Sequence, residues 1–252
     1  MGSQEIASTR FAGDATLKAY YRFENGSELV DSSGNNNSLT DIGTPTYSSG
    51  KFGQGVDLIR TTTQGYSIVE SSTLKPTSYF TVGLWMKSSA SQGMLFQVLN
   101  RVSAYAGLYI YSGATHQLYC MSGRNTGTSL GIDWQQVTST IAITDGTWRF
   151  IVYTWDGNYL NLYINGALDN RIAWTYAPAY AVTNYTRIGV FNDSGADGDA
   201  FLGSLDDVFM LNSKALTSDE IYSLYKTGVK KLNGVDNLTT PGIKKYNGVS
   251  NV

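Results

Sequence analysis

Cysteine is almost absent from this chain: Cys120 stands alone among 252 residues, which excludes a fold stapled by internal disulfides. It sits in the strand-like run Leu118-Tyr119-Cys120-Met121, the setting of a buried, inert thiol. Histidine is as scarce. His116 is the sole imidazole, and no Ser/His/Asp or Cys/His arrangement forms around it, so it reads as a surface or hydrogen-bonded side chain rather than a base. An excess of positive charge is also missing. The net charge is −2 and the basic residues are scattered, which argues against nucleic acid or an anionic membrane as partner. No apolar run is long enough to cross a bilayer, so membrane insertion is not expected. The start, Met1-Gly2-Ser3-Gln4-Glu5, lacks the charged and apolar regions of a secretion signal. The expectation is that a signal was removed, or that the protein leaves its cell without one, for example inside a virus particle. Gly53-Gln54-Gly55 is no dinucleotide fingerprint, because the third glycine and the following helix are missing.

What is present is glycine, 27 residues, and tyrosine, 18, against only 15% charged residues; this suits tight turns between aromatic-rich strands. Phe80-Thr81-Val82-Gly83-Leu84-Trp85-Met86-Lys87 alternates cleanly, with Phe80, Val82, Leu84 and Met86 on one face and Thr81, Gly83 and Trp85 on the other. Residues 148–155 and 160–164 flank Asp156-Gly157-Asn158, a strong hairpin pattern, and Asn165-Gly166 makes a second tight turn. Further strands are expected at 16–23, 94–99, 107–111, 117–121, 186–190 and 201–211. In the last, Asp206 and Asp207 are adjacent, so a regular strand sends them to opposite faces. One helix is expected. Thr217 and Glu220 form a capping box that starts it at Thr217 or Ser218; Ile221, Leu224 and Tyr225 give it an apolar stripe, and Gly228 ends it. The class is all-β with one short C-terminal helix. Beyond it, Val229-Lys230-Lys231-Leu232-Asn233-Gly234-Val235 recurs as Ile243-Lys244-Lys245-Tyr246-Asn247-Gly248-Val249. Two such units cannot make a core alone, so they dock on the main domain or order on a partner.

Several segments, in order, resemble the laminin-G-like branch of the concanavalin-A-like lectin/glucanase families. They are Ala19-Tyr20-Tyr21-Arg22-Phe23-Glu24, Asp31-Ser32-Ser33-Gly34-Asn35, Gly50-Lys51-Phe52-Gly53-Gln54-Gly55, the Phe80–Lys87 strand, Gly146-Thr147-Trp148-Arg149, Leu162-Tyr163-Ile164-Asn165-Gly166, and the stretch from Gly203 to Tyr225. The resemblance implies a two-sheet antiparallel jelly-roll sandwich over residues 16–228, with 1–15 an N-terminal extension and 229–252 a repeat-bearing tail. It also implies a structural calcium between an early loop and the late Asp-Asp strand, which would fall to Glu24, Asn25, Asp31 and Asp206, hard oxygen donors of the kind calcium takes. Glucanases of this fold carry two glutamates on one strand; Glu5, Glu24, Glu28, Glu70 and Glu220 share no such spacing, so no catalytic residue is expected. The tail units are similar to the ends of bacteriophage tail-fibre and other virion-associated proteins.

Carbohydrate sites pair flat aromatic faces with amide, arginine and carboxylate groups. Trp134, Trp174, Tyr176, Tyr180 and Tyr185 fall in loop-like stretches, with Arg124, Asn125 and Asn192 as polar companions; the alternative for the aromatics is ordinary cover of sheet edges. Trp85, Trp148 and Trp155 lie in strands and read as core or sheet-face residues. The acidic run from Asp193 to Asp199 reads as a solvated loop. The expected function is non-catalytic recognition of a glycan or host-surface receptor, on a virion, a cell surface or outside the cell, with 229–252 making virion or homo-oligomer contacts. A structural decoration protein and, behind it, a glycan-cleaving enzyme are the alternatives.

Overall fold

Alternation along residues 80–87 sets the architecture, because one face of that strand must be covered by a second layer. A computed structural model describes residues 13–100, 106–124, 133–180, 185–193 and 196–227. In chain order the strands are β1 (Leu17–Tyr21), β2 (Leu39–Ile42), β3 (Thr46–Ser49), β4 (Gln54–Leu58), β5 (Gly65–Ile68) and β6 (Phe80–Lys87). Then come β7 (Gly93–Asn100), β8 (Ala106–Ser112), β9 (Leu118–Arg124), β10 (Trp134–Thr138), β11 (Arg149–Trp155) and β12 (Tyr159–Ile164). The last are β13 (Ala167–Ala173), β14 (Tyr185–Ile188), β15 (Phe191–Asp193), β16 (Ala196–Gly198) and β17 (Gly203–Asn212), followed by the helix α1 (Ser218–Thr227).

These strands form two antiparallel sheets and a small hairpin. The larger sheet runs β13-β12-β11-β6-β17-β4-β3, with β1 also paired to β17; the other runs β10-β9-β8-β7-β14-β5-β2; β15 pairs β16. Phe80, Val82, Leu84 and Met86 from one sheet and Phe96, Val98, Leu108, Ile110, Leu118 and Cys120 from the other bury into one core, as a jelly-roll sandwich requires. Cys120 is buried there, and burial pushes its thiol far above the usual range. The second face of β6 is covered as well: Trp85 packs with Phe150, Phe209, Ile221 and Leu224 under α1. Gly83 lies beneath the Phe209 ring, where a Cβ would come within 2.2 Å of it.

The turns follow the sequence. Asp156 Oδ1 accepts from the amides of Asn158 (2.9 Å) and Tyr159 (2.8 Å), closing the β11–β12 hairpin. Asn165 and Gly166 have φ of 52° and 85°, the paired positive angles of a tight hairpin turn. The capping box forms: Thr217 N donates to Glu220 Oε2 (2.8 Å), and Glu220 N to Thr217 Oγ1 (3.3 Å). Trp134 and Tyr185, expected in loops, instead open strands β10 and β14, and β2, β3, β4, β5, β13 and the β15–β16 hairpin were not foreseen. One side of the sandwich is stitched between sheets. Asn170 Nδ2 donates to Thr138 O (2.8 Å), and Asp169 Oδ2 accepts from Thr140 N (2.8 Å), tying the edge strands β13 and β10 together. Gly228, Asn125 and the repeats in 229–252 lie outside the described residues.

Candidate functional site

Residues that alternate with the core on β8, β9 and β10 must face outward, and the register decides which become neighbours. It aligns three rows across the outer face of the seven-stranded sheet. One is Trp134–Gly123–Gly107–Leu99–Tyr185, the second Gln136–Met121–Tyr109–Gln97–Arg187, the third Thr138–Tyr119–Tyr111–Met94. Three tyrosines thereby come together on a rigid floor. Tyr111 lies 6.4 Å from Tyr119, nearly parallel at 27°, and 6.5 Å from Tyr109 at 75°.

The β15–β16 hairpin roofs one half of this face. Gln97 clasps it, accepting from Asn192 N (3.1 Å) and donating to Asn192 O (3.2 Å). Asp197 pairs with Arg187 (3.1 Å) and takes Asn192 Nδ2 (2.5 Å), so this carboxylate of the acidic run is bonded into the hairpin while Asp199 stays exposed. Between roof and tyrosines lies a cleft of about 240 Å³, lined by Met94, Leu99, Tyr109, Tyr111, Tyr119, Phe191 and Asp199. Two of its polar groups have no hydrogen-bond partner among the described residues: the Tyr111 hydroxyl and the exposed Asp199 carboxylate. Burial, and then the Asp199 charge, push the Tyr111 hydroxyl up from its ordinary pKa, so it stays a neutral donor and acceptor. Tyr109 Oη donates to Gln136 Oε1 (3.3 Å), and Tyr119 Oη bonds Thr115 Oγ1 (3.0 Å), fixing both rings. A wider hollow of about 790 Å³ runs between Pro178 and Ser213, where Tyr180 is the one aromatic lining it among the described residues.

Most of the expected ligand residues do not line this cleft. Trp174 is only 3% exposed; its carbonyl accepts from Trp155 Nε1 (2.7 Å) and its amide donates to Asn158 O (2.8 Å). Its indole nitrogen is buried without a partner among the described residues, and so is the Tyr180 hydroxyl. Tyr176 is 41% exposed, yet the Arg124 guanidinium covers its ring at 3.7 Å and Trp174 meets its edge at 5.1 Å. Arg124, Trp174 and Tyr176 thus pack together, with the indole buried and one face of the Tyr176 ring covered by the guanidinium. Asn192 is buried and ties the hairpin. Trp134, 41% exposed, lies on the tyrosine face, at the outer end of its first row. Sequence reading missed the three tyrosines, although Tyr109 and Tyr111 alternate with core residues.

The metal candidates divide. Asp31 turns back on its own loop: Oδ1 accepts from Tyr20 N (3.0 Å) and Ser33 N (2.9 Å), and Oδ2 from Asn37 N (3.0 Å). Asn25 is exposed in the turn that follows Glu24. Glu24 and Asp206 meet at the Gly50–Gln54 turn, Oε2 accepting from Gln54 N (3.3 Å) and Oδ2 from Phe52 N (2.8 Å). A Cβ on Gly53 would fall 2.5 Å from Glu24, and one on Gly50 2.7 Å from Asp206, so the turn packs directly on both carboxylates. Asp31, Glu24 and Asp206 each already accept backbone amides, and no group of three or more His, Cys, Asp and Glu gathers among the described residues, so the four candidates are not drawn together as one cage.

The twin aspartates also depart from expectation. The β17–β6 register slips between Asp206 and Phe209, and Asp207 has φ of 48°, so the strand bulges there. Both carboxylates are buried, and the bulge brings them together instead of separating them: Asp206 Oδ1 accepts from Asp207 N (2.7 Å), and Asp207 accepts from the Tyr20 hydroxyl (2.6 Å). Burial first, and then the Asp207 charge, hold Asp206 well above the usual carboxylate range.

Known structures share this fold. The chain is similar to the binding domain of Paraclostridial Mosquitocidal Protein 1 at TM-score 0.66 and 15% identity, over 83% of this chain and 52% of that one. It is similar to domain 4 of AbnA, a GH43 extracellular arabinanase from Geobacillus stearothermophilus solved with arabinotriose, at 0.62 and 21% identity, over 83% and 98%. The botulinum neurotoxin serotype G binding domain matches at 0.63 and 14%, over 83% and 50%. The chain therefore spans about half the length of the two toxin domains, 52% and 50%. No curated protein sequence matches it. Residues 61–222, more than half of the chain, match the laminin-G-type model of the concanavalin A-like lectin/glucanases superfamily, and the chain belongs to that family.

Proposed function

We propose that this chain is a non-catalytic recognition module that binds carbohydrate in the tyrosine cleft. The observation that carries the reading is the outward register of Tyr109, Tyr111 and Tyr119 beside Asp199. Tyrosine rings stack on the apolar face of a sugar, while hydroxyl and carboxylate groups read its hydroxyls. The module reading is supported by fold neighbours that are themselves binding domains, and by one accessory domain solved with arabinotriose. The non-catalytic part is supported by Glu24 and Asp206, a neighbouring carboxylate pair on which the Gly50–Gln54 turn sits.

The proposed setting is extracellular, at a cell or virus surface, where single weak sites gain strength by display in many copies. The repeats in 229–252 support attachment to a particle; mass spectrometry of purified particles checks that part by itself. A glycan array read with wild type and Tyr111→Ala tests the core claim. Binding by wild type that falls about tenfold or more in the variant is expected, from loss of an aromatic contact worth about 1–1.5 kcal/mol together with its hydroxyl bond. Absence of any Tyr111-dependent carbohydrate binding overturns it.

A further inference from the structure

We infer that the tyrosine cleft takes the terminal residue of a glycan end-on, and that this residue is an uncharged sugar held by neighbouring hydroxyls rather than an acidic one. The inference rests on the carbohydrate reading above and concerns the size and charge of the ligand.

Size comes from the walls. The cleft holds about 240 Å³, below the range of about 300–1,000 Å³ usual for ligand pockets. One side is the hairpin wall of Phe191 and Asp199, and Met94 and Leu99 close the floor with apolar atoms. The hairpin cannot slide away cheaply, because Gln97 holds Asn192 by two hydrogen bonds inside the structure and Arg187 holds Asp197. A sugar chain crossing the face along the tyrosines would meet this wall, whereas a chain end can abut it.

Charge comes from which groups are free. Among the described residues, Asp199 is the formally charged side chain lining the cleft. Among the described residues the cation whose charge reaches Tyr111 is Arg60, and its guanidinium already donates to Ala200 O (2.8 Å) and Ser91 O (2.5 Å). A carboxylate accepts from sugar hydroxyls and repels another carboxylate. The Tyr111 hydroxyl beside it both donates and accepts, so the pair suits two adjacent hydroxyls of one ring.

Saturation-transfer NMR and calorimetric titration on the full chain test this. The probes are methyl glycosides of neutral hexoses and pentoses, the methyl glycoside of N-acetylneuraminic acid, and neutral hexasaccharides. At least one neutral methyl glycoside is expected to bind, with Kd on the order of 1 mM, and the matching hexasaccharide to bind no more than about threefold tighter. Asp199→Asn is expected to weaken the neutral glycoside about tenfold, the loss of a charge-assisted hydrogen bond. Asparagine tolerates the positive φ of 36° at that position, so the fold is kept. Stepwise tightening with chain length, or equal binding of the sialoside, overturns the inference while leaving carbohydrate recognition standing. If no probe binds in a Tyr111-dependent way, the underlying reading fails instead.

Discussion

Two aromatic regions of this molecule look alike in composition and differ in what their rings can still do. On the sheet face, Tyr109, Tyr111 and Tyr119 are half-buried and line an open cleft. At the loop end, Trp174 is buried and Tyr176 lies under the Arg124 guanidinium. A stacked cation or a closed packing shell satisfies an aromatic face before any ligand arrives. Aromatic residues in irregular segments are therefore poor evidence of a site until their faces are seen to be free.

The largest expected effect tests the loop-end half of that contrast. Trp174→Ala should cost about 3–5 kcal/mol of stability, as large core truncations do, measured by urea unfolding, while the folded fraction keeps its carbohydrate affinity. Selective loss of affinity with unchanged stability would reverse the roles of the two regions.

A second effect separates stability from binding. Asp206 is raised in the folded state from 3.8 to about 8. Its folded form holds a proton that the unfolded chain releases, so stability is greatest near and below the unfolded value and declines as pH rises through this window, by at most about 1.4 kcal/mol per pH unit. The melting midpoint should fall as pH rises above the ordinary carboxylate range, and Asp206→Asn should flatten the slope. Affinity at the cleft, on the opposite sheet, should not follow it. A smaller effect is expected from Tyr111→Ala, which should lower affinity about tenfold, or 1.4 kcal/mol, with stability changed by about 1 kcal/mol or less, since its ring is only half-buried. The smallest is Arg124→Ala. Its partly exposed cation–π contact with Tyr176 is worth about 0.5–1 kcal/mol, so thermal unfolding should show a loss of at least that order, with affinity unchanged.

Fold was legible wherever the information was local. Alternation along Phe80–Lys87, the Asp156-Gly157 turn and the Thr217–Glu220 box each need only a few consecutive residues, and each forms as expected. The cleft was not legible, because Tyr109, Tyr111 and Tyr119 become neighbours only through the register of separate strands, and its wall is a hairpin folded over that face. Trp174 misled for the reverse reason. Its segment has no strand pattern, yet Trp155 and Asn158 hold its backbone and turn the indole inward. At Asp206 and Asp207 the regular two-residue period was the wrong premise, since one extra residue at the bulge resets it.

The stitch between β13 and β10 has a bearing on how copies of this module can be crowded together. An open sandwich offers sticky strand borders on both flanks, and each is a template for runaway pairing. Here Asp169 and Asn170 spend the backbone groups of residues 138 and 140 within the molecule. At those two positions the flank is a seam rather than a free margin, and a neighbouring copy finds fewer unpaired backbone groups there to zip onto.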